Sequence, residues 1–417
     1  MKLRFGICGL ALVSGAFAAP QKIGHATRAQ IEAVLPASLR VKDKLDRAGE
    51  ARYARLEALV DKMRKLRIES ALLPTASSKQ RTDAVKSARP LLAELDQILK
   101  GSLRQKPRPD PMDSFPKLAS VKSLAKVIGF AAMDAAERKN QTECAFYTIL
   151  GLRLSSKFLP SGNGLIGFLV AEAVDAIVVR TAVEVDGKGG LDEQARDKVF
   201  SLLAPDENGN SEAVNALRRE FVFARLPLIV DPVHGADKVF ATSKDFAMSM
   251  SPKKKVPDDG LVGNYDPIAT ARLVGRIFDE AIKDLQRPLG KQTGLAQIIV
   301  EKAGKQIPEF SADQVASYPG KMDAIPNSIG LELARLAPPE SLPEIEAKRA
   351  TYRNLARAVI LLREGKPMKL ADPFGKGPLK FDAKRRIVWS VGTNRKDDGG
   401  QIERVGEKDR LDIGYRY

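Results

Sequence analysis

The sequence has little of what most enzymes use for nucleophilic or metal chemistry. Its 417 residues include two histidines, two cysteines and one tryptophan. Neither histidine stands in an H-E-x-x-H pattern, and the chain has no G-x-S-x-G pattern. Zinc sites use clusters of His, Cys and carboxylate at short spacings, and a Ser-His-Asp site needs a histidine beside its serine. The scarcity disfavours both chemistries, and we expect His25 and His234 to be exposed or satisfied within a turn.

Long apolar runs are missing beyond the N-terminus, which itself has the features of a secretory signal peptide. Lys2 and Arg4 precede a short apolar stretch, and Ala16-Phe17-Ala18 forms an A-x-A cleavage pattern. No later stretch reaches the roughly 18 uninterrupted apolar residues that span a bilayer. We therefore predict that residues 1–18 are removed and that the remaining chain is periplasmic or secreted and not transmembrane.

Cysteine is scarcer still once residues 1–18 are removed, because only Cys144 remains. An intramolecular disulfide is then impossible, so packing must stabilise the fold. Cys144 lies within NQTECAFYTILGLRL, a pattern typical of a helix, and we predict a buried core thiol. A serine–lysine nucleophile is disfavoured as well. Ser123 and Lys126 fit S-x-x-K, but the K-T-G that completes such a site is absent.

What the sequence does have is an excess of basic residues. The formal net charge is +16, or +14 without Lys2 and Arg4, and such an excess attracts anionic partners. Aromatic residues are only 6% of the chain and do not interleave with the basic ones, as stacking platforms for nucleic acid would. With the export signal, this favours anionic envelope components or another protein as partners, and disfavours nucleic acid.

The chain divides by composition into five expected segments. These are a signal peptide at 1–18, charged helices at 19–100, a proline-rich linker at 101–116, a central helical domain at 117–366 and a tail at 367–417. Thr27 followed by Gln30 indicates a capping box at the first helix, and Pro36 ends that helix. Pro90 is expected to kink a later helix or to begin it.

Helical periodicity dominates the central segment. Apolar residues recur at steps of three and four, and the run from Leu165 to Val185 is apolar on most faces, which is typical of a buried helix. Short loops such as DGKGG join the helices. After Pro367 the period changes, and PLKFD and RIVWSV predict two strands. The predicted fold is mainly α, an antiparallel helical array with a small C-terminal β-hairpin.

Much of residues 117–400 resembles a loose group of uncharacterised exported bacterial α-helical proteins. The likeness rests on a G-x-L-I-x-x-L-V helix after two alanine-rich helices, on ALRREFVFAR and IPNSIGLELA, and on the tail DPFGKGPLKF…IVWSVGTNRKDDGG. The resemblance implies export and a helical module, and it implies no activity.

The tail also resembles the C-terminal β-region of the major pseudopilins of type II secretion. The matching positions are Asp372-Pro373-Phe374-Gly375, Trp389-Ser390-Val391-Gly392 and Asp412-Ile413-Gly414. In that family these motifs frame a calcium site, so the resemblance implies one in this tail. Asn394 stands where the family has an acidic residue, and a cleavable signal replaces the family's methylated N-terminal helix. The likeness is therefore to a β-unit alone.

Calcium takes roughly six to eight oxygen ligands. The candidates in the tail are Asp397, Asp398, Asp409 and Asp412, and three basic residues interleave with them. No other cofactor is expected. Other carboxylates are plentiful, but the sequence does not place them relative to one another, so it neither shows nor excludes a glycosidase-type acid/base pair.

The function expected from these features is a non-enzymatic scaffold or binding protein of the envelope. The alternative is a hydrolase that acts on envelope polymers through carboxylates which the sequence does not locate. Whether the protein is an enzyme is left open, with binding preferred.

Overall fold

The computed structural model describes residues 24–39, 46–66, 68, 71, 73, 75–105, 115–161, 164–204, 211–231, 264–306, 325–335, 338–402 and 412–417. The chain forms two compact units, each assembled from separate stretches of sequence. Unit 1 comprises residues 1–43, 107–113 and 217–340, and unit 2 comprises residues 44–106, 114–216 and 341–417. The five-segment division expected from composition stays a prediction.

Unit 2 is built mainly from long helices. They are α2 (Arg47–Lys65), α3 (Ser78–Ile98), α4 (Phe115–Glu137), α5 (Gln141–Phe158), α6 (Gly164–Gly187), α7 (Glu193–Leu202) and α13 (Leu342–Arg363). A further helix, α8 (Glu212–Glu220), contains the boundary between the units. Asn140 caps α5 and Asp192 caps α7, each through a side-chain oxygen that accepts a backbone N–H of the first turn.

The helices α4, α5 and α6 form the centre of unit 2 and are joined by short connections. Their facing sides carry small residues, so that Ala131, Ala132 and Ala135 on α4 are fully buried. Gly151 on α5 also faces α6, where a Cβ would press on Val178. The helix α6 buries residues on several sides, as its apolar composition predicts.

The helix α13 packs on α6 although 154 residues separate Gly187 from Leu342 (342 − 187 − 1). Arg353 of α13 pairs with Asp175 of α6, and Arg363 pairs with Asp186 further along. The residue numbers rise along both helices from the first pair to the second, so α6 and α13 are parallel. Short loops join helices that are consecutive in the chain and antiparallel, so they do not predict that α13 packs on α6.

A small antiparallel sheet ends unit 2. Its order is β1 (Lys380–Asp382), β2 (Ile387–Ser390) and β3 (Ile413–Arg416), with β2 in the middle and buried at every position. Trp389 of β2 lies opposite Gly414 of β3, where a Cβ would meet the carbonyl oxygen of Val388. The predicted hairpin is confirmed, and β3 is a third strand that the alternation of apolar residues did not predict.

Unit 1 contains shorter helices around one long helix. They are α1 (Arg28–Val34), α9 (Leu226–Val230), α10 (Pro267–Gln286), α11 (Leu295–Gly304) and α12 (Ser328–Ala334), with a π-helical turn at Phe221–Arg225. The others pack on α10, where Phe278 meets Phe221 edge to face at 5.4 Å between ring centroids. Asp266 caps α10, and Pro267 occupies its first turn.

The mainly α class with a small C-terminal β-structure is confirmed. The capping box of Thr27 and Gln30 is present at α1. The helix α3 continues through Pro90, which lies inside it and not at its first turn. Among the helices in the described parts of the chain, none combines the length and apolar character that a membrane crossing requires.

Candidate functional site

Two clefts lie side by side on unit 2, on either side of helix α6. The larger cleft, of about 510 Å³, lies between α6, α13 and β3. The smaller cleft, of about 320 Å³, lies between α3, α4 and α6. Arg180 and Glu184 of α6 line both clefts. The Nε of Arg180 lies 2.7 Å from Oε1 of Glu184, and the side chains are 74% and 42% exposed. Their ion pair therefore forms a solvent-facing ridge between the two clefts.

The larger cleft is rich in arginine and tyrosine. Its described lining includes Arg180, Arg363 and Arg416, with Tyr352 on α13 and Tyr415 on β3. The two tyrosine rings lie 6.3 Å apart at a tilt of 52°. Burial raises the pKa of Tyr415, so its phenol stays protonated at neutral pH and can donate a hydrogen bond.

A buried carboxylate behind the larger cleft holds one of these arginines. Asp186, whose side chain is 1% exposed, accepts a hydrogen bond from Nη1 of Arg363 at 2.6 Å and one from Nε of Arg196 at 2.7 Å. Arg363 also donates to the carbonyl of Val183. These contacts fix the direction of the Arg363 side chain. The lining arginines contribute +3 and the lining Glu184 contributes −1, which leaves two excess positive charges.

The smaller cleft has an apolar floor and a balanced charged rim. Phe130, Met133 and Ile177 supply apolar surface, and the hydroxyls of Ser78, Thr82 and Thr181 also line it. The cations of its described lining are Arg81, Lys126 and Arg180, and the anions are Asp134, Glu137 and Glu184. The guanidinium of Arg81 lies over the Phe130 ring, 5.0 Å from its centroid.

The three carboxylates of the smaller cleft are already engaged by cations. Asp134 lies 3.0 Å from Arg138, Glu137 lies 2.8 Å from Lys188, and Glu184 pairs with Arg180. Each can still accept a hydrogen bond from a ligand through its second oxygen, since a carboxylate has about four lone-pair directions. This arrangement favours the recognition of hydroxyl or amide donors.

A second charged cluster is buried where the first half of α6 meets α13. Nε and Nη2 of Arg353 donate to the two oxygens of Asp175 at 2.9 and 2.6 Å, and Ser155 donates to the same carboxylate. Burial alone would raise the pKa of Asp175, but Arg353 and these hydrogen bonds outweigh it and hold the pKa below its usual value. Glu172, one turn earlier on α6, lies 3.5 Å from Arg349.

Glu172 differs from its neighbour because burial dominates. Burial raises the pKa of Glu172 to about 8, against a smaller opposing effect of Arg349. Within the described residues, Oε1 of Glu172 is buried and accepts no hydrogen bond. The two carboxylates therefore hold different protonation states at neutral pH, with Glu172 neutral and Asp175 ionised. Both are buried against α13, so they do not line the larger cleft. They contact the arginines that join α6 to α13, the two helices between which the cleft lies.

Three of the candidate calcium ligands, Asp397, Asp398 and Asp412, lie between β2 and β3 in the described residues. Asp397 accepts hydrogen bonds from Nε1 of Trp389 at 3.0 Å and from Lys380 at 2.7 Å, and Asp398 accepts one from Asn394. Asp412 is fully buried and accepts the backbone N–H groups of Gly400 and Gln401.

The fourth ligand, Asp409, lies outside the described residues. Over the part of the chain that is described, no three His, Cys, Asp or Glu side chains are grouped to hold a metal ion. The calcium site stays a prediction.

The other candidates from the sequence have simpler outcomes. Cys144 is fully buried, and burial raises the pKa of its thiol to about 11, so the predicted core thiol is confirmed. His25 is exposed, as expected, whereas His234 lies outside the described residues. Ser123 and Lys126 both lie within α4, and only Lys126 lines the smaller cleft.

The residues of the larger cleft were not found from the sequence. Between Arg180 and Tyr415 lie 234 residues (415 − 180 − 1), and no motif joins the two. When the chain is compared with family models, with curated proteins and with solved structures, nothing matches.

Proposed function

We propose that the protein is an exported, non-enzymatic binding protein of the bacterial envelope, which holds an anionic group of an envelope component in the larger cleft. One observation carries the proposal, namely the convergence of Arg180, Arg363 and Arg416 beside Tyr352 and Tyr415. A guanidinium presents a planar fork of donors that matches a carboxylate or a phosphate. The excess of positive charge over the whole chain supports an anionic ligand through long-range attraction.

The alternative, a hydrolase acting through carboxylates, has less support in this region. The lining carboxylates of both clefts are ion-paired, and the carboxyl whose pKa is raised to about 8, Glu172, is packed between α6 and α13. A general acid must reach its substrate within hydrogen-bond distance. Binding without bond cleavage is therefore the function that these contacts favour.

Export and binding are tested on the same preparation. The full chain is produced in a bacterial host and purified from the periplasm, and its mass is measured by mass spectrometry. We expect the mass of a chain whose first residue is Ala19. Binding to vesicles of phosphatidylglycerol, to lipopolysaccharide and to an acidic polysaccharide is then measured by calorimetry. We expect at least one of these to bind with an affinity that falls as salt rises.

Variants locate the binding. Arg416→Ala removes a lining guanidinium from the exposed edge of β3, and we expect at least a fivefold loss of affinity. Arg64→Ala is the matched control, since it removes the same charge from the end of α2, at a residue that lines neither cleft. Equal affinities of the two variants, or the release of new chain ends from any polymer, would contradict the proposal.

A further inference from the structure

The two clefts together suggest more about the ligand than the larger cleft does alone. They share Arg180 and Glu184, whose side chains stand on the exposed crest of α6. From Ala176 to Gly187 this helix rises by about 17 Å, at about 1.5 Å per residue. A ligand that reaches over the crest would contact one shared guanidinium and then the cations of each cleft in turn.

Each cleft has a guanidinium of its own. Arg416 lines only the larger cleft, whereas Arg81 lines only the smaller one. Each also has adjoining apolar surface, from Val183 and Tyr352 on one side and from Phe130 on the other. Each cleft thus combines a guanidinium with apolar surface, and a chain molecule with repeating units would make this pair of contacts in both.

The density of charge on that chain is limited by the smaller cleft. Its lining carries Asp134, Glu137 and Glu184 as well as three cations, so a chain with a negative charge on every unit would place charges beside carboxylates. A chain with widely spaced charges and many hydroxyls avoids this repulsion, because those carboxylates then accept hydrogen bonds from the hydroxyls.

We propose that the two clefts are subsites of one extended site, and that its ligand is an acidic glycan which crosses the Arg180–Glu184 ridge. This rests on the proposed function and names its ligand class. Carboxylates on alternate sugars would pair with Arg416 and with Arg81, and sugar hydroxyls would meet the carboxylates and hydroxyls of the smaller cleft. A single-stranded nucleic acid, with a phosphate on every nucleotide, fits the balanced cleft less well.

The test compares two lengths of one glycan on the purified full chain. Hyaluronan, with a carboxylate on every second sugar, supplies a disaccharide that fills one subsite and a longer oligosaccharide that spans both. We expect the longer chain to bind about tenfold more tightly or better, because its second contact is intramolecular. Single-stranded DNA of the same total charge is measured alongside, and tighter binding of the DNA would overturn the choice of a glycan.

Variants then separate the subsites. Arg81→Ala should reduce the affinity for the long chain to near that for the disaccharide and leave the disaccharide unchanged. Lys126→Ala repeats the test without disturbing the contact between Arg81 and Phe130. Arg416→Ala should weaken both lengths, and Arg64→Ala neither.

Two results overturn the proposal in different ways. If Arg416→Ala weakens both lengths while Arg81→Ala and Lys126→Ala weaken neither, the second subsite is wrong and the larger cleft still stands. If Arg416→Ala and Arg64→Ala behave alike for both lengths, or if neither length binds, the acidic-glycan site is wrong. If Arg416→Ala and Arg64→Ala behave alike, the proposed binding of an anionic group in the larger cleft is wrong as well.

Discussion

The two ends of the interface between α6 and α13 carry buried charge in different ways. At one end Asp186 meets two arginines, Arg196 and Arg363, whose side chains are 28% and 18% exposed. At the other end Asp175 meets Arg353, and both are more than nine-tenths buried. Water reaches both arginines of the first end, whereas at the second end it reaches Arg349, which is 21% exposed, and hardly reaches Arg353. The pair of Asp175 and Arg353 therefore depends more on its internal contact.

The deeper end also has one carboxyl too many. Glu172, Asp175 and Glu346 face Arg349 and Arg353, so three ionised carboxylates would leave a net charge of −1 in a buried place. Glu346 also accepts hydrogen bonds from Ser211 and from the backbone of Ala213. A neutral Glu172 balances the cluster. Burial raises the pKa of Glu172, whereas Asp175 is also buried but keeps a low pKa through its contacts with Arg353. Burial therefore protonates a carboxyl unless a cation contacts it closely enough to offset that burial.

The largest expected effect comes from removing the carboxylate at the deeper end. Asp175→Ala removes the carboxylate that the buried Arg353 contacts directly, and we expect it to lower the free energy of unfolding by about 3–5 kcal/mol. Asp186→Ala should cost less, about 2 kcal/mol, because water can solvate its arginines. Urea denaturation of both variants measures the difference. An equal cost at the two ends would show that the exposure of the paired arginines does not determine the cost.

An effect with the opposite sign, confined to alkaline pH, is expected for Glu172→Gln. The folded-state pKa of Glu172, about 8, lies above the ordinary value of 4.5. Its contribution to stability is therefore complete below about pH 4.5 and is lost as pH rises through 8. The variant lacks this loss and should be more stable than the wild type at pH 9, by up to about 5 kcal/mol, while the two agree near pH 4.

Denaturation at several pH values checks this prediction. Glu184→Gln is the matched control, because Glu184 lies on the same helix and is 42% exposed. We expect its pH profile to follow that of the wild type. A Glu172→Gln profile that falls with rising pH as steeply as the wild type would show that Glu172 is ionised within the cluster.

A third buried carboxylate, Asp372, accepts hydrogen bonds from uncharged donors and contacts no arginine in the described residues. Asp372 accepts hydrogen bonds from Oγ of Ser390 at 2.6 Å and from the backbone N–H groups of Phe374 and Val391. Since no buried cation is stranded by its loss, we expect Asp372→Ala to cost about 2 kcal/mol, less than Asp175→Ala. The melting temperature of the two variants gives the order, and the reverse order would contradict it.

The smallest effect is expected for calcium in the tail. If Asp397, Asp398, Asp409 and Asp412 hold an ion, calcium should raise the Tm slightly relative to a chelator, and Asp398→Asn should abolish the rise. The rise should be small because Lys380, Trp389 and backbone N–H groups already engage Asp397 and Asp412. An unchanged Tm of the wild type would remove the calcium prediction.

Local features of the fold were predictable because they depend on neighbours in the chain. The apolar run from Leu165 to Val185 predicted the buried helix α6, and Thr27 with Gln30 predicted the start of α1. The burial of Cys144 followed from its helical surroundings. Of the candidate site, the sequence supplied only the excess of basic charge, since no spacing distinguishes Arg180 or Arg416 from the other arginines of the chain.

The sequence by itself determined where most helices and the hairpin lie, because capping, periodicity and turn chemistry act over a few residues. Only the tertiary structure decided that α13 lies parallel to α6, that β3 joins the sheet, and that Tyr415 therefore meets Tyr352 beside Arg180. The same packing buries Glu172 and so raises the pKa of its carboxyl. These outcomes depend on which distant surfaces meet, and an apolar face or a charge does not specify its partner in the sequence.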